Sequence, residues 1–234
     1  MEQQVVMITG AGGNLGREVV GQIVSRRNAR LVCLERNPEA LAALVAQCPP
    51  DAEVMGLQGI DLTDMTSCLE AVQKARDRFG RVDALVNTVG GFMMGPVDPA
   101  GIGQWNDLMS MNALTAYTIS AAVLPGMQQQ KHGRIVHVAA SPGLRAGRNQ
   151  AAYAASKAAV IRLTEAIAAE NRSNRITANS ILPGTIDTPQ NRQSMPDADV
   201  RDWVPASSIA KLIAFLISDE ASAVTGAAIA ATGY

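Results

Sequence analysis

Short β-branched runs alternate with longer helical patterns along the chain, and this alternation most constrains the fold. Seven apolar runs are predicted to be strands: 5–9, 30–34, 53–58, 84–87, 134–139, 177–182 and 227–231. Six segments with helical spacing are predicted to be helices: 14–25, 38–47, 65–79, 104–130, 151–171 and 205–218. Strand–helix alternation indicates an α/β fold, with a doubly wound parallel sheet of about seven strands and helices on both faces.

Composition excludes several classes of protein. With 47% hydrophobic and 18% charged residues, the chain can build a sizeable core, and no linker or repeat divides it, so 1–234 is predicted to be one domain. A net charge of −1 argues against a nucleic-acid partner. We expect no signal peptide and no membrane span. Three cysteines without a CxxC pair indicate a cytoplasmic protein, and two isolated histidines predict no metal site.

A glycine-rich turn joins the first predicted strand to the first predicted helix. In such a unit the glycines let backbone N–H groups approach a pyrophosphate, and the helix N-terminus adds favourable partial charge. The alternative is an ordinary tight turn. The residues predicted to bind a dinucleotide here are Gly10, Gly12, Gly13, Asn14, Leu15 and Gly16.

Acidic residues at the ends of the second and third predicted strands indicate contacts with the adenosine. Glu35 is placed to bond both ribose hydroxyls and would repel a 2′-phosphate, so NAD(H) is favoured. Arg36 could pair with that phosphate, which keeps NADP(H) possible. Asp61 and Leu62 are placed beside the adenine. The alternatives are a solvated loop charge for Glu35 and an N-cap of the third helix for Asp61.

Asn87 ends the fourth predicted strand, and Gly90 follows shortly after. An Asn at this point can brace neighbouring strands by bonds from its side chain to their backbone, while the glycine leaves room for a ribose. Both are predicted cofactor contacts. The segments 90–103 and 185–204 interrupt the alternation and are predicted to be substrate loops at the carboxyl edge of the sheet.

Tyr153 and Lys157 are separated by four residues, so they lie on one face of a predicted helix. A phenol with a pKa near ~10 is a poor acid or base at neutral pH. A nearby ammonium and an oxidised nicotinamide would lower that pKa toward the working range. The pair is therefore predicted to be catalytic, and the alternative is a surface pair on an alanine-rich helix.

Jointly these motifs resemble the short-chain dehydrogenase/reductase superfamily over nearly the whole chain. Further matches are Asn112, Gly133-Arg134-Ile135-Val136 and Pro183-Gly184. The resemblance implies a Rossmann-type sheet and hydride transfer between NAD(P) and a small carbonyl or hydroxyl substrate. It implies that Tyr153 is the general acid/base and also contacts the cofactor, that Lys157 binds the nicotinamide ribose, and that Asn112 holds a water.

The resemblance also implies that residues 183–188 cover the nicotinamide carboxamide. The cofactor contacts expected there are Pro183, Gly184, Ile186 and Thr188. The helices 104–130 and 151–171 would pair across a two-fold axis, in a homodimer or homotetramer.

Two positions depart from the family pattern. Asn14 replaces a glycine of the main branch, and the turn survives if Asn14 adopts φ > 0. The substrate-polarising serine is expected at Ala140, with Ser141 one residue later. Either the loop shifts so that Ser141 serves, or the enzyme works without a serine, which we favour.

Two alternative functions stay open. The segment after the sixth strand, from Asp187 to Asp199, resembles dihydropteridine reductases, which lack the serine. Reduction of a quinonoid pterin develops no alkoxide that a serine must hold. The other alternative is a dinucleotide-sensing protein without turnover, which the intact Tyr153, Lys157 and Asn112 argue against.

Overall fold

Seven strands form one parallel sheet in a computed structural model of the chain, which describes residues 3–26 and 29–233. The strands are β1 (Gln4–Thr9), β2 (Ala29–Glu35), β3 (Val54–Gln58), β4 (Ala84–Asn87), β5 (Gly133–Val138), β6 (Ile176–Pro183) and β9 (Ala228–Ala231). Their order is β3-β2-β1-β4-β5-β6-β9. The two remaining strands, β7 (Ile186–Asp187) and β8 (Val204–Pro205), pair with each other. The predicted doubly wound sheet is confirmed.

Helices cover both faces of the sheet. They are α1 (Asn14–Val24), α2 (Pro38–Gln47), α3 (Met65–Phe79), α4 (Ile102–Leu108), α5 (Thr115–Gln130), α6 (Ala151–Glu170), α7 (Pro189–Ser194) and α8 (Ala206–Leu216). Side chains of β1 alternate between two buried clusters. Val6 and Ile8 join the cluster that contains residues of α1 and α8, while Val5 and Met7 join the one that contains residues of α3 and α5. Burial on both faces explains the unbroken apolar run.

The strand order reverses between β1 and β4, and the carboxyl ends of both strands meet at this point. Thr9, Asn87 and His137 lie side by side on β1, β4 and β5. The Thr9 hydroxyl donates to Asn87 Oδ1 (2.5 Å), and Asn87 Nδ2 lies 3.3 Å from His137 Nδ1. Asn87 therefore braces its neighbours as expected, but through their side chains and not their backbone.

Two predicted segments differ from the structure. The helix expected over 104–130 begins at Ile102 and is divided by a π-helical turn, Met109–Leu114. The expected loop over 185–204 is not entirely irregular, since it contains β7, α7 and β8.

The helical run 99–130 is long and apolar enough to cross a membrane by length and composition, contrary to the expectation that no segment would be. Half of its most apolar window is buried inside the protein. That burial is typical of a core helix in a folded domain.

The glycine turn forms as predicted, but the residue with positive φ is Gly10 and not Asn14. Gly10 adopts φ +65°, a left-handed conformation that glycine accepts without strain. Asn14 is the first residue of α1 and does not have positive φ. The expectation that Asn14 must tolerate φ > 0 is thus wrong, because the helix has already begun there. Gly16 lets α1 approach the turn, since a Cβ at this position would lie 2.2 Å from the Gly10 carbonyl oxygen.

We expect Gly16→Ala to destabilise the fold by about 1–3 kcal/mol, because the added methyl meets backbone that cannot move aside. Gly21→Ala is the matched control on the same helix, since its Cβ would meet nothing within 4 Å. That variant should be unchanged or stabilised by up to ~1 kcal/mol through helix propensity. Urea unfolding measures both free energies. Equal stability of the two variants would contradict the close packing at Gly16.

Candidate active site

Glu35 lies at the end of β2 and binds the glycine turn. Its Oε2 accepts a hydrogen bond from the Gly12 backbone N–H (2.9 Å), and its Oε1 accepts one from Asn37 (3.0 Å). A Cβ at Gly12 would lie 2.9 Å from Glu35 Oε2, so glycine is what allows this approach. Glu35 is therefore a fixed carboxylate beside the turn and not a solvated loop charge.

Asp61 is exposed after β3, and its side chain is held locally. Oδ1 accepts from the Thr63 hydroxyl (2.7 Å) and backbone N–H (2.8 Å). These bonds, with a smaller contribution from Arg36, lower the pKa of Asp61. Asp64 and not Asp61 caps α3, because Asp64 accepts from the Ser67 N–H (2.7 Å). The N-cap interpretation of Asp61 was wrong by three residues.

Leu62, the other residue expected near the adenine, is buried. Its backbone carbonyl accepts a hydrogen bond from the Thr118 hydroxyl of α5. The bond ties the end of the third strand region to the helix behind the site.

Asn112 lies in the π-helical turn and is 1% exposed. Its Oδ1 accepts from the Gly91 N–H (2.8 Å), and its Nδ2 donates to the Gly91 carbonyl (3.1 Å) and to Ser156 Oγ (2.9 Å). Ser156 in turn donates to the Tyr153 carbonyl (2.8 Å). Asn112 thus clamps the loop after β4 to α6, a role that the motif did not reveal. The water that the resemblance places at Asn112 stays a prediction.

Lys157 is 5% exposed, and its ammonium donates to the Val138 carbonyl at the end of β5 (3.0 Å). Burial lowers its pKa to about 8. A Cβ at Gly90 would lie 2.8 Å from Lys157 Nζ and 2.7 Å from Asn112 Oδ1. A side chain at position 90 would therefore collide with both the lysine and the asparagine, so glycine keeps this space open.

Tyr153 lies one turn before Lys157 on α6, as predicted. Burial raises its pKa to about 12, so the lowering expected from Lys157 is not produced by the protein's own groups. Desolvation of the phenolate outweighs any effect of the lysine. Within residues 3–26 and 29–233, the Tyr153 hydroxyl has no hydrogen-bond partner, and its ring lies 4.8 Å from the Phe92 ring, edge to face at 88°.

Ser141 begins a short 3₁₀ turn, and two residues separate it from the end of β5. Its hydroxyl lies 3.2 Å from the Pro183 carbonyl and 3.4 Å from that of Leu182, and donates to them at the end of β6. Ala140, the expected serine position, is buried. The serine thus lies against β6, and Ala140 offers no hydroxyl.

The segment predicted to cover the nicotinamide follows β6. Thr188 is buried, and its hydroxyl oxygen accepts from the Asn191 N–H (3.1 Å), so that it caps α7. Ile186 belongs to β7, and its carbonyl accepts from Asn191 Nδ2 (2.8 Å). Asp187 forms a two-bond ion pair with Arg192 (2.6 and 2.9 Å), which lowers its pKa. Hydrogen bonds to α7 therefore hold Ile186, Asp187 and Thr188 in place.

His137 was given no site role by sequence reasoning, yet it extends a buried hydrogen-bond chain beneath Lys157. Its Nε2 lies 3.1 Å from Ser120 Oγ, and Ser120 donates to the Ala116 carbonyl. Burial, and then the charge of Lys157, lower its pKa to about 4, so the ring is neutral. A neutral ring that donates from Nε2 and accepts from Asn87 at Nδ1 satisfies every group in the chain.

Fold and site together define a nicotinamide-dependent oxidoreductase. The chain belongs to the short-chain dehydrogenase family, whose match covers residues 4–199. It is 30% identical to the 3-oxoacyl-[acyl-carrier-protein] reductase FabG of Escherichia coli, over 99% of this chain and 97% of that protein. It is also 30% identical to an acetoacetyl-CoA reductase of an Acinetobacter species, with the same coverage.

Solved structures agree with this assignment. Levodione reductase matches with a TM-score of 0.90 and 30% identity, covering 98% of this chain and 96% of that one. A single-residue variant of the actinorhodin polyketide ketoreductase, solved with NADPH, matches with a TM-score of 0.90 and 26% identity, covering 99% and 96%. The predicted family, fold and class of enzyme are confirmed.

We expect the stability of the protein to depend on pH through Lys157. The unfolded lysine keeps its proton up to its ordinary pKa of 10.5, and the folded one only up to about 8. Between these values the unfolded state binds more protons, so the folded state gains stability as pH rises, by about 2–3 kcal/mol from pH ~7.5 to ~10.

Lys157→Met removes this gain. Urea unfolding at pH ~7.5 and ~10 measures the free energy of unfolding of both proteins. The difference between wild type and Lys157→Met should increase, in favour of the wild type, from the lower pH to the higher. Lys74→Met removes an exposed lysine from α3 and should leave the corresponding difference constant. A constant difference for Lys157→Met as well would show that the ammonium is not buried.

Proposed function

We propose that the protein transfers hydride between NAD(H) and a small carbonyl or hydroxyl substrate, with Tyr153 as general acid/base. The observation that carries this proposal is the convergence of Tyr153, Lys157 and Asn112 at the carboxyl edge of the sheet, where Gly90 keeps the space between them open. In the reductive direction, the Tyr153 hydroxyl gives its proton to the substrate oxygen. Lys157 stabilises the phenolate that remains.

The residues at the turn fit a dinucleotide. No side chain caps α1 at Gly13, so the first-turn N–H groups have no partner within the helix and point toward the turn. Such a helix start binds a pyrophosphate. Gly12 and Gly16 keep the approach free of side chains. When bound, the nicotinamide supplies or accepts the hydride, and its positive charge in the oxidised form opposes the effect of burial on the pKa of Tyr153.

Tyr153→Phe should lower turnover by ~10²–10⁴-fold, as for loss of a general acid. Stability should stay unchanged, because the hydroxyl has no partner in the described part of the chain. The assay follows NADH absorbance with a panel of ketones, 3-oxoacyl thioesters and quinonoid dihydropterin. Tyr117→Phe, at an exposed tyrosine of α5, is the control. Activity of Tyr153→Phe within a few-fold of wild type would exclude this residue as the proton donor.

Glu35 supports a preference for NAD(H) over NADP(H). Its carboxylate is fixed by Gly12 and Asn37 at the end of β2, where the adenosine ribose is predicted to lie. A 2′-phosphate at this position would be repelled by the Glu35 carboxylate, because the two hydrogen bonds hold the carboxylate in place. Arg36 is exposed, and its charge contributes to the lowered pKa of Asp61. Arg36 therefore already has an acidic neighbour, which reduces its attraction for a 2′-phosphate.

We expect the dissociation constant of NADPH to exceed that of NADH by about tenfold or more, which corresponds to ~1.4 kcal/mol of repulsion. Glu35→Gln keeps an acceptor for the Gly12 N–H and removes the charge, so it should bring the two constants together. Glu39→Gln, on the first turn of α2, is the matched control and should not change their ratio. Fluorescence titration gives both constants. A wild type that prefers NADPH would show that Arg36 decides the specificity.

A second candidate substrate is a quinonoid dihydropterin. Ala140 at the serine position and the bonding of Ser141 to the Pro183 carbonyl favour it, since this reduction needs no hydroxyl beside a developing alkoxide. Turnover of the pterin well above that of every ketone in the panel would favour this candidate. Turnover of the ketones alone would exclude it.

We also propose that the protein forms a homo-oligomer. Three apolar side chains on the helical run 102–130, namely Met111, Leu114 and Tyr117, are 40–56% exposed at a spacing of three residues. A partner subunit would cover them. The mass in solution, from sedimentation equilibrium, tests this, and a monomer at micromolar concentration would contradict it.

A further inference from the structure

An exposed aromatic ring lies directly against the proposed catalytic tyrosine. Phe92 is 56% exposed, although its ring is only 4.8 Å from that of Tyr153. The chain contains only three phenylalanines, and most of its large apolar side chains are buried. An exposed phenylalanine leaves apolar area in contact with water, which costs free energy in proportion to that area. A ligand that covers the ring would recover this free energy.

The position of Phe92 is fixed from within the protein. The preceding residue, Gly91, is bonded at both its N–H and its carbonyl to the buried carboxamide of Asn112. The Gly91 backbone also lies against the Met111 side chain, since a Cβ at Gly91 would lie 2.2 Å from the sulfur of Met111. Phe92 therefore follows a rigid attachment point, and its ring is preorganised beside Tyr153.

The loop that carries Phe92 has a second attachment, three residues after Phe92. The Gly95 N–H donates to the Asn149 carbonyl (2.9 Å), which joins this loop to the segment before α6. The attachments on both sides of Phe92 restrict how far its ring can move from Tyr153. Less ordering is then needed when a substrate binds.

A phenyl ring distinguishes substrates by shape and electron distribution. A planar conjugated ring can pair with it in an offset or edge-to-face arrangement, which strengthens binding beyond what the buried area contributes. An aliphatic chain gains only the buried area. We propose that Phe92 is a specificity-determining residue that holds a planar, conjugated ring of the substrate beside Tyr153. This inference rests on the proposed function of Tyr153, and quinonoid dihydropterin belongs to the same chemical class.

Phe92→Leu tests the inference, because it keeps an apolar side chain and removes the ring. The probes are isatin, a planar ketone, and ethyl 3-oxobutanoate, an aliphatic one. We expect roughly a 3- to 10-fold rise in KM for isatin with kcat little changed, and less than a twofold effect on the ester. Phe215→Leu makes the same change at a phenylalanine that is 40% exposed on α8, so it is the matched control and should change neither.

Binding is measured in parallel, so that the test does not depend on turnover. The dissociation constant of isatin from the protein–NAD⁺ complex should rise by the same factor in Phe92→Leu, while that of NADH stays constant. Equal effects on both probes, no effect on isatin, or wild-type binding of isatin no tighter than that of the ester would overturn the inference.

Failure of this inference is distinguishable from failure of the proposed function. Tyr153→Phe that abolishes turnover, together with Phe92→Leu that changes nothing, would overturn only the role of Phe92. Tyr153→Phe that retains activity would overturn the proposed function itself, whatever the result at Phe92.

Discussion

Three buried polar side chains hold the carboxyl ends of the central strands together, and the site depends on them. Thr9, Asn87 and His137 lie on β1, β4 and β5, where the strand order reverses. Their bonds are made between side chains, and Ser120 extends the chain to α5. Buried polar groups are costly unless every one is satisfied, so this chain of bonds permits one arrangement of the strands. The glycine turn follows Thr9 directly, and Gly90 lies three residues after Asn87.

The site above these strands combines a buried cation, Lys157, with a partly buried phenol, Tyr153. Lys157 is charged at neutral pH although its pKa is lowered to about 8, and Tyr153 stays protonated because its pKa is raised to about 12. Burial acts in opposite directions on the two groups because it disfavours the charged form of each. The protein therefore holds the proton on Tyr153. Removal of that proton requires further positive charge, which the oxidised nicotinamide would bring.

Local patterns predicted most of the secondary structure and the position of the site. The alternation of strands and helices led to the sheet, and the spacing of Tyr153 and Lys157 placed them on one face of α6. Prediction failed where a feature depends on distant packing. The π-helical turn that holds Asn112 against Gly91 is of this kind. The capping of α3 by Asp64 and the helical backbone of Asn14 are local features, and there the prediction chose the wrong residue or conformation. No local signal distinguishes an Asn that clamps Gly91 from one that faces solvent.

The sequence by itself determined the fold class, the family and the residues that gather at one edge of the sheet. Hydrophobic period and glycine spacing act over a few residues, so they can be read without coordinates. Only the tertiary structure decided which groups touch: Glu35 with Gly12, Asn112 with Gly91, and Phe92 with Tyr153. It also decided the direction in which each pKa moves, because desolvation depends on everything that surrounds a group and not on its neighbours in the chain.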